Sequence, residues 1–447
     1  LLAREQRFVQ VNRRDWLGAI LLVEIIAIVL LLPSLALVGM EHTTQALLTA
    51  LALVLFQHIV SGRDDRRQEL ALLATLLIAG LFRFEAVFLA VGIAAGLMAA
   101  TASELVPRTR TQPLPLRRAL RLGGTGVVAA ATPFIAYGVV NLGFGLDFFP
   151  ASIASKAARE LNEDRISVFR TPAGALDALR SDNLLLMIFL GVLVYLVIAL
   201  RDSRVRASAA LAVAYAVLVT LHCFVADMGQ LDRYQAYLLA AGVYVGLRIL
   251  AEVVPTTVRP AIVLLLVIAL PALAAVKVGV LWETPTATSN TYLQRYQVGR
   301  FLDKYYDGQP VATGELGYVT LFHDGPVTDI LGIGDPEVLD EYQRHGEFLA
   351  PGFLERVASE RDVQAVAAYS RSAAPSTPES WRFAGRWSLD EKAVTAFEPT
   401  LDFLAIDGDR RHRLSRYLDE DEPSLPTGAS YVSLHEVLSA LGESRRR

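Results

Sequence analysis

Eight long apolar runs follow one another between Trp16 and Trp282, and beyond Trp282 such runs stop. They are Trp16–Val38, Thr44–Val60, Leu70–Ala100, Leu122–Leu142, Leu184–Leu200, Ala207–Ala226, Tyr234–Val253 and Pro260–Trp282. Crossing the hydrocarbon core of a bilayer takes roughly 20 residues. In hydrocarbon a backbone must satisfy its own polar groups, which a helix does within one segment. The pattern therefore predicts a polytopic α-helical membrane domain over residues 1–282.

Composition agrees. The chain has 447 residues, 53% hydrophobic and 20% charged, with a mean hydropathy of +0.39. That is too apolar for a soluble globule. The net charge of −4 hides an asymmetry: residues 1–282 carry 25 Lys+Arg against 19 Asp+Glu, and residues 283–447 carry 17 against 27. The first part is net +6 and the second net −10, so the two parts face different surroundings. Residues 283–447 alternate helix-like stretches with short apolar runs, which predicts a small α/β domain. The helix-like stretches are Tyr292–Tyr306, Pro351–Arg361, Arg410–Asp419 and Leu434–Leu441. The strand-like runs are Pro310–Thr313, Tyr318–Phe322, Val327–Leu331, Val363–Tyr369 and Phe403–Ile406.

Charge also orients the spans. Basic residues favour the cytoplasmic side. Placing the Arg-rich N-terminus, the 61–69 loop, the 102–121 loop and Arg201, Arg204 and Arg206 together inside puts 39–43, 144–183 and 227–233 outside. The scheme holds only if Leu70–Ala100 goes in and comes back, as two short half-spans meeting at Arg83-Phe84-Glu85. One over-long tilted helix is the other reading. By the same parity, the C-terminal domain is extracytoplasmic and the chain is a multi-pass protein of the cell membrane.

Ionisable side chains at membrane depth are costly and mark candidate sites. Arg83 suits a lipid phosphate, because its planar fork bonds two oxygens and stays charged; alternatively it forms an internal ion pair with Glu85 at the hairpin tip. Asp232 and Arg233 open a helix at the outer surface. Lys156, one of only four lysines, follows Pro150 and Ser152 in the stretch Gly145–Lys156. Glu41 sits in an outer turn, either near a helix start that favours it or holding acceptor hydroxyls. The lone cysteine, Cys223, excludes a disulfide framework and a Cys-based metal site. No GxxxxGK[ST], HExxH, CxxC or GxSxG occurs. Nothing supports nucleic-acid binding, and no cofactor is expected; a divalent metal has no visible ligand cluster.

Five short motifs, in order, resemble the GT-C polytopic glycosyltransferases that use polyprenyl-phosphate sugars. The nearest branch is the terminal arabinofuranosyltransferases of actinobacterial cell-wall synthesis. Val38-Gly39-Met40-Glu41 resembles that group's Gly-Met-Glu-Thr step, and Leu81-Phe82-Arg83-Phe84-Glu85 its Leu-x-Arg-Pro-Glu turn. Phe149–Lys156 is similar to its Pro-Asn-Thr-x-x-x-Lys loop, with Ala151-Ser152 in place of Asn-Thr. Asp232-Arg233-Tyr234 resembles its Arg-Tyr at a helix start. Val311-Ala312-Thr313-Gly314-Glu315-Leu316-Gly317, then Val327–Gly332, is similar to its outer-domain pattern.

The resemblance implies a GT-C-like bundle with a short re-entrant hairpin and a soluble α/β domain. It implies transfer of a sugar from a polyprenyl phosphate to a cell-envelope glycan on the outer face. Arg83, Lys156 and Arg233 would bind the donor phosphate, with Glu41, Glu85, Ser152 and Asp232 in supporting or acceptor roles. The family's catalytic base is an aspartate in the first outer loop, which is expected to precede Leu1. A non-catalytic membrane-anchored glycan-binding or assembly protein is the alternative.

Overall fold

The computed structural model describes residues 24, 26–28, 30–37, 41–62, 65–102, 113–150, 165–166, 169–202, 206–229, 233–254, 275–345, 349–350, 352–371, 376–391, 393–394, 398–433 and 436. The chain divides into two compact units, Leu1–Val140 with Val168–Trp282, and Asn141–Ser167 with Glu283–Arg447.

The first unit is helical: α1 (Leu32–Leu37), α2 (His42–Val60), α3 (Arg66–Phe82), α4 (Ala86–Ala99), α5 (Leu116–Gly143), α6 (Pro172–Arg180), α7 (Asn183–Arg201), α8 (Ala209–Val225) and α9 (Ala236–Val253). Among the described residues four helices, α2, α5, α7 and α9, are long and apolar enough to cross a membrane. α4 and α8 are apolar but shorter, 14 and 17 residues. Of the expected spans, 16–38 is described at 24, 26–28 and 30–37, and 260–282 only from Ala275 onward.

The chain reverses between α3 and α4. Arg83 takes an extended conformation (φ −151°, ψ 137°) and ends α3. Contacts along α5 fix the direction of both arms. The Arg118 and Arg121 guanidiniums reach Glu69 near the start of α3 at 2.6 and 3.4 Å, and Gly80 near its end lies against the Ala130 backbone. α4 runs the other way: Gly123 packs on Ala94, and the Leu114 amide donates to the Ala100 carbonyl at 3.0 Å. One over-long helix is therefore not what these residues form.

α4 and α8 also pack backbone to backbone. Small residues four apart let helix backbones meet, and here Gly92 and Gly96 face Ala214 and Ala210. A Cβ on Gly96 would fall 2.5 Å from the Ala210 carbonyl oxygen and 2.6 Å from Phe56 Cζ. At the opposite end from Arg83, Glu252 of α9 satisfies the amides just ahead of α8, which make no intrahelical hydrogen bond. Its carboxylate accepts the Ala207 and Ser208 amides at 2.6 and 2.9 Å and the Tyr195 hydroxyl at 3.0 Å.

The second unit resumes at Glu283 within α10 (Ala275–Asn290), which continues into a π-helical turn, Thr291–Tyr296, and then α11 (Gln297–Tyr306). There follow β1 (Val311–Thr313), α12 (Leu316–Phe322), β2 (Val327–Asp329), α13 (Pro336–His345), α14 (Phe353–Glu360), β3 (Ala365–Tyr369), β4 (Arg382–Leu389), β5 (Thr400–Ala405), α15 (Gly408–Asp421) and β6 (Ala429–Ser433). The six-stranded sheet has the order β2-β1-β3-β5-β4-β6. β1 is parallel to β2 and β3, and the remaining pairs are antiparallel.

Side chains alternate across a strand, and each face of the sheet has its own core. Ala365 and Ala367 join Phe301, Val319, Trp387, Phe403 and Leu414, under α11, α12 and α15. Val366 and Ala368 join Val338, Tyr342, Phe353 and Val357, under α13 and α14. The unit is a three-layer α/β/α sandwich.

Two sequence expectations need correction here. Tyr318–Phe322, expected as a strand, is part of α12. Only Val319 of this helix is fully buried while Thr320 and Leu321 are exposed, so burial follows one helical face. β4 and β6 were not expected. Their arginines and serines interrupt the apolar signal, although Ala384, Trp387, Leu389 and Tyr431 are buried. The expected helix Leu434–Leu441 lies almost wholly outside the described residues.

Candidate functional site

Glu41 precedes α2, Arg83 and Glu85 occupy the break between α3 and α4, and Arg233 and Tyr234 lead into α9. These three places meet at one end of the helical unit. Arg83 Nε donates to Glu85 Oε2 at 3.0 Å and Nη2 to Glu85 Oε1 at 2.5 Å, a two-pronged bond. Nη1 donates to Glu41 Oε1 at 2.8 Å. Glu85 is 2% exposed, so Arg83 supplies the counter-charge that lets it lie there.

The same Nη1 lies 3.3 Å from His42 Nε2. A guanidinium has no acceptor, so Nε2 accepts and the imidazole proton sits on Nδ1. His42 is fully buried, and its ring lies 6.0 Å from that of Tyr234. Tyr234 receives both cations: the guanidinium carbons of Arg83 and Arg233 lie 5.7 and 4.9 Å from its ring centroid, within cation–π range. Arg233 Nη2 also donates to the Tyr234 hydroxyl at 3.0 Å.

Burial works to raise the Glu41 carboxyl, but the Arg83 hydrogen bond, helped by the neighbouring charges, outweighs it and holds Glu41 below the usual carboxylate range. Among the described residues the cluster is thus two carboxylates against two guanidiniums, formally balanced.

Of the residues singled out from sequence, Glu41, Arg83, Glu85 and Arg233 come together. The internal Arg83–Glu85 ion pair is present, and it occupies the fork that a phosphate would use. Ser152, Lys156 and Asp232 lie outside the described residues. His42 and Tyr234 belong to the cluster and were not assigned to it from sequence; adjacency to Glu41 and Arg233 was the available signal.

A second constellation turns on Arg170, which was not singled out from sequence. Arg170 donates to the Ala226 and Cys223 carbonyls at the C-terminal end of α8 and pairs with Asp227 at 2.7 Å. Basic side chains suit such carbonyls. His222 Nε2 donates to the Asp227 carbonyl at 3.1 Å, so its Nδ1, 3.0 Å away, accepts from the Tyr237 hydroxyl when the ring is neutral. His222 is thereby a satisfied bundle residue. Among the described residues, no group of three His, Cys, Asp or Glu side chains could hold a metal ion.

Residues 287–411, inside the sheet unit, match a family described as a domain of unknown function (DUF8728). No curated protein and no solved structure matches the chain.

Proposed function

We propose that this chain is a membrane glycosyltransferase of the GT-C kind, moving a sugar from a polyprenyl phosphate to a cell-envelope glycan on the outer face. Arabinofuranose is the sugar class that the sequence resemblance implies. The observation that carries the reading is the meeting of Arg83 and Arg233 on Tyr234 where three interhelical segments converge. Apolar helices would hold the carrier in the bilayer, and the cluster would lie at the water–lipid boundary, where a phosphate head group sits.

In this reading the acceptor hydroxyl oxygen bonds to the anomeric carbon as the bond from that carbon to the phosphate oxygen breaks. The phosphate leaves on its lipid with the bonding pair, and the hydroxyl proton passes to a carboxylate base that we do not assign within residues 1–447. Cations aimed at the leaving phosphate stabilise charge where it develops. Because Glu41 and Glu85 occupy the Arg83 fork, Arg83 serves as the post that fixes Tyr234, and direct phosphate contact within the cluster falls to Arg233; the same role for Lys156 rests on the sequence resemblance alone.

The test is transfer from a polyprenyl-phosphate sugar by the intact protein. Arg233→Ala and Lys156→Ala are each expected to abolish transfer while unfolding transitions stay unchanged. Full activity in both variants would remove the assignment.

A further inference from the structure

The end of the helical unit away from Arg83 carries a group of arginines that the fold does not use. α3 and α5 both begin there and run the same way, and the Glu69 carboxylate joins them by taking Arg118 and Arg121 at 2.6 and 3.4 Å. Arg66 and Arg67 open α3, and Arg117 lies in the first turn of α5. All three are exposed, and among the described residues their guanidiniums have no ion-pair or hydrogen-bond partner. Arg121 is 66% exposed beyond its contact with Glu69. The five arginines stand against Asp65 and Glu69, a local net charge of +3.

The positive pole of a helix is its N-terminus, so the dipoles of α3 and α5 disfavour arginine in their first turns. Arg206, at the same end of the unit, has a place in the fold: it donates to the Ala199 and Leu200 carbonyls at the C-terminal end of α7, at 2.7 and 3.3 Å. Arg66, Arg67 and Arg117 serve no such bond. Beneath them run apolar stripes. Arg117, Arg121, Gly124 and Val128 share one face of α5, on which Val128 is exposed and Gly124 has open space. On α3, Leu70, Leu77 and Leu81 are likewise exposed below Arg67. Each helix thus presents guanidinium first and open apolar surface next, which is the order of groups in a phospholipid standing in a bilayer. A planar guanidinium bonds two phosphate oxygens and stays charged, and basic pockets between spanning helices hold anionic head groups in this way. The positive charge favours an anionic lipid over a zwitterionic one. We infer that Arg66, Arg67, Arg117 and Arg121 form a binding site for the phosphate of an anionic glycerophospholipid, whose acyl chains lie along the exposed faces of α3 and α5.

The inference rests on these helices lying in a bilayer, and on neither sugar transfer nor the Arg83 cluster. Flotation of the full chain with phosphatidylcholine vesicles after a carbonate wash tests that placement first; a chain that stays behind removes the placement and this site together. Lipid choice is then read by native mass spectrometry of the full chain in detergent, titrated with phosphatidylglycerol or phosphatidylcholine. Phosphatidylglycerol is expected to bind about tenfold more tightly or better. Each arginine near an anionic head group counts for about fivefold, so Arg66→Gln, Arg67→Gln and Arg117→Gln combined should weaken it about a hundredfold. Arg201→Gln, which removes an exposed charge from the C-terminal end of α7, should leave it unchanged. Circular dichroism checks that the variants keep their helices. Equal binding of the two lipids by a chain that floats, or wild-type affinity in the folded triple variant, overturns the proposal alone. So does an equal loss in Arg201→Gln and Arg117→Gln, which marks a general surface potential in place of a site. Displacement of phosphatidylglycerol by inorganic phosphate at the same concentration overturns a lipid as the occupant.

Discussion

Arg83 lies with its guanidinium carbon 5.7 Å from the ring centroid of Tyr234, and that ring also takes Arg233 at 4.9 Å. Two like charges on one ring are tolerable here because Glu41 and Glu85 balance them. Arg83 is the member with the most bonds: three hydrogen bonds to two carboxylates, and the contact with His42.

Removing that post should unfold more than the site. Arg83→Ala leaves Glu85 buried without a partner, a change worth about 3–5 kcal/mol of stability. Glu41→Ala should cost much less, since its side chain is 33% exposed and Arg83 keeps Glu85. Arg83→Lys should recover little, because an ammonium cannot bond both Glu85 oxygens in the same plane. Denaturant unfolding in detergent compares the three; equal losses for Arg83→Ala and Glu41→Ala would refute this ranking.

The approach of α4 to α8 predicts intolerance of bulk. Gly96→Leu must push Ala210 and Phe56 aside and is expected to destabilise by about 3 kcal/mol or more. Gly124 has open space around its added Cβ, so Gly124→Ala should be nearly silent. Thermal unfolding midpoints of the two variants provide the comparison.

Glu252 predicts a graded effect at the other end of the bundle. Glu252→Ala strips acceptors from the Ala207 and Ser208 amides and from Tyr195 and should cost about 1–3 kcal/mol. Glu252→Gln keeps one acceptor oxygen and should fall between the two. Amide exchange at the start of α8 should quicken in the same order.

Glu315 gives the sheet unit a pH signature. Burial raises its pKa, with Arg295 opposing. A group raised on folding stabilises the fold below its unfolded pKa and loses that contribution as pH rises through the folded value. Relative to wild type, Glu315→Gln should therefore gain stability as pH rises from the ordinary carboxylate range toward neutrality. Tryptophan fluorescence during denaturation at several pH values reads the difference; a constant offset would show that Glu315 does not titrate on unfolding.

The helical architecture was legible because apolar length is a one-dimensional signal. The hairpin followed from it, since Arg83-Phe84-Glu85 interrupts a run too long for one span. Helix ends were less so: α2 begins at His42, two residues before its apolar run, and α5 starts at Leu116, inside a basic stretch. Tyr318–Phe322 misled because five residues, four of them apolar, fit a strand or a helical turn equally. In the site, charged residues announced themselves by sitting where charge is costly. Tyr234 did not, since a tyrosine at a helix start reads equally as an interface anchor. Arg170 and Asp227, 57 positions apart, form a pair that only folding brings together.

The close fit of α4 against α8 has a consequence for how the chain is made. α4 spans about 21 Å, less than the roughly 30 Å hydrocarbon core, and its glycines bring little apolar surface of their own. Its partner is synthesised about 120 residues later, and at ribosomal rates of about 5–20 residues per second α4 waits on the order of ten seconds uncovered. Among the described helices, α1 to α3 and then α5 to α7 are made before α8 and can contact the hairpin in that interval. Chain order thus leaves Gly92 and Gly96 without their facing residues until Ala210 and Ala214 have been made.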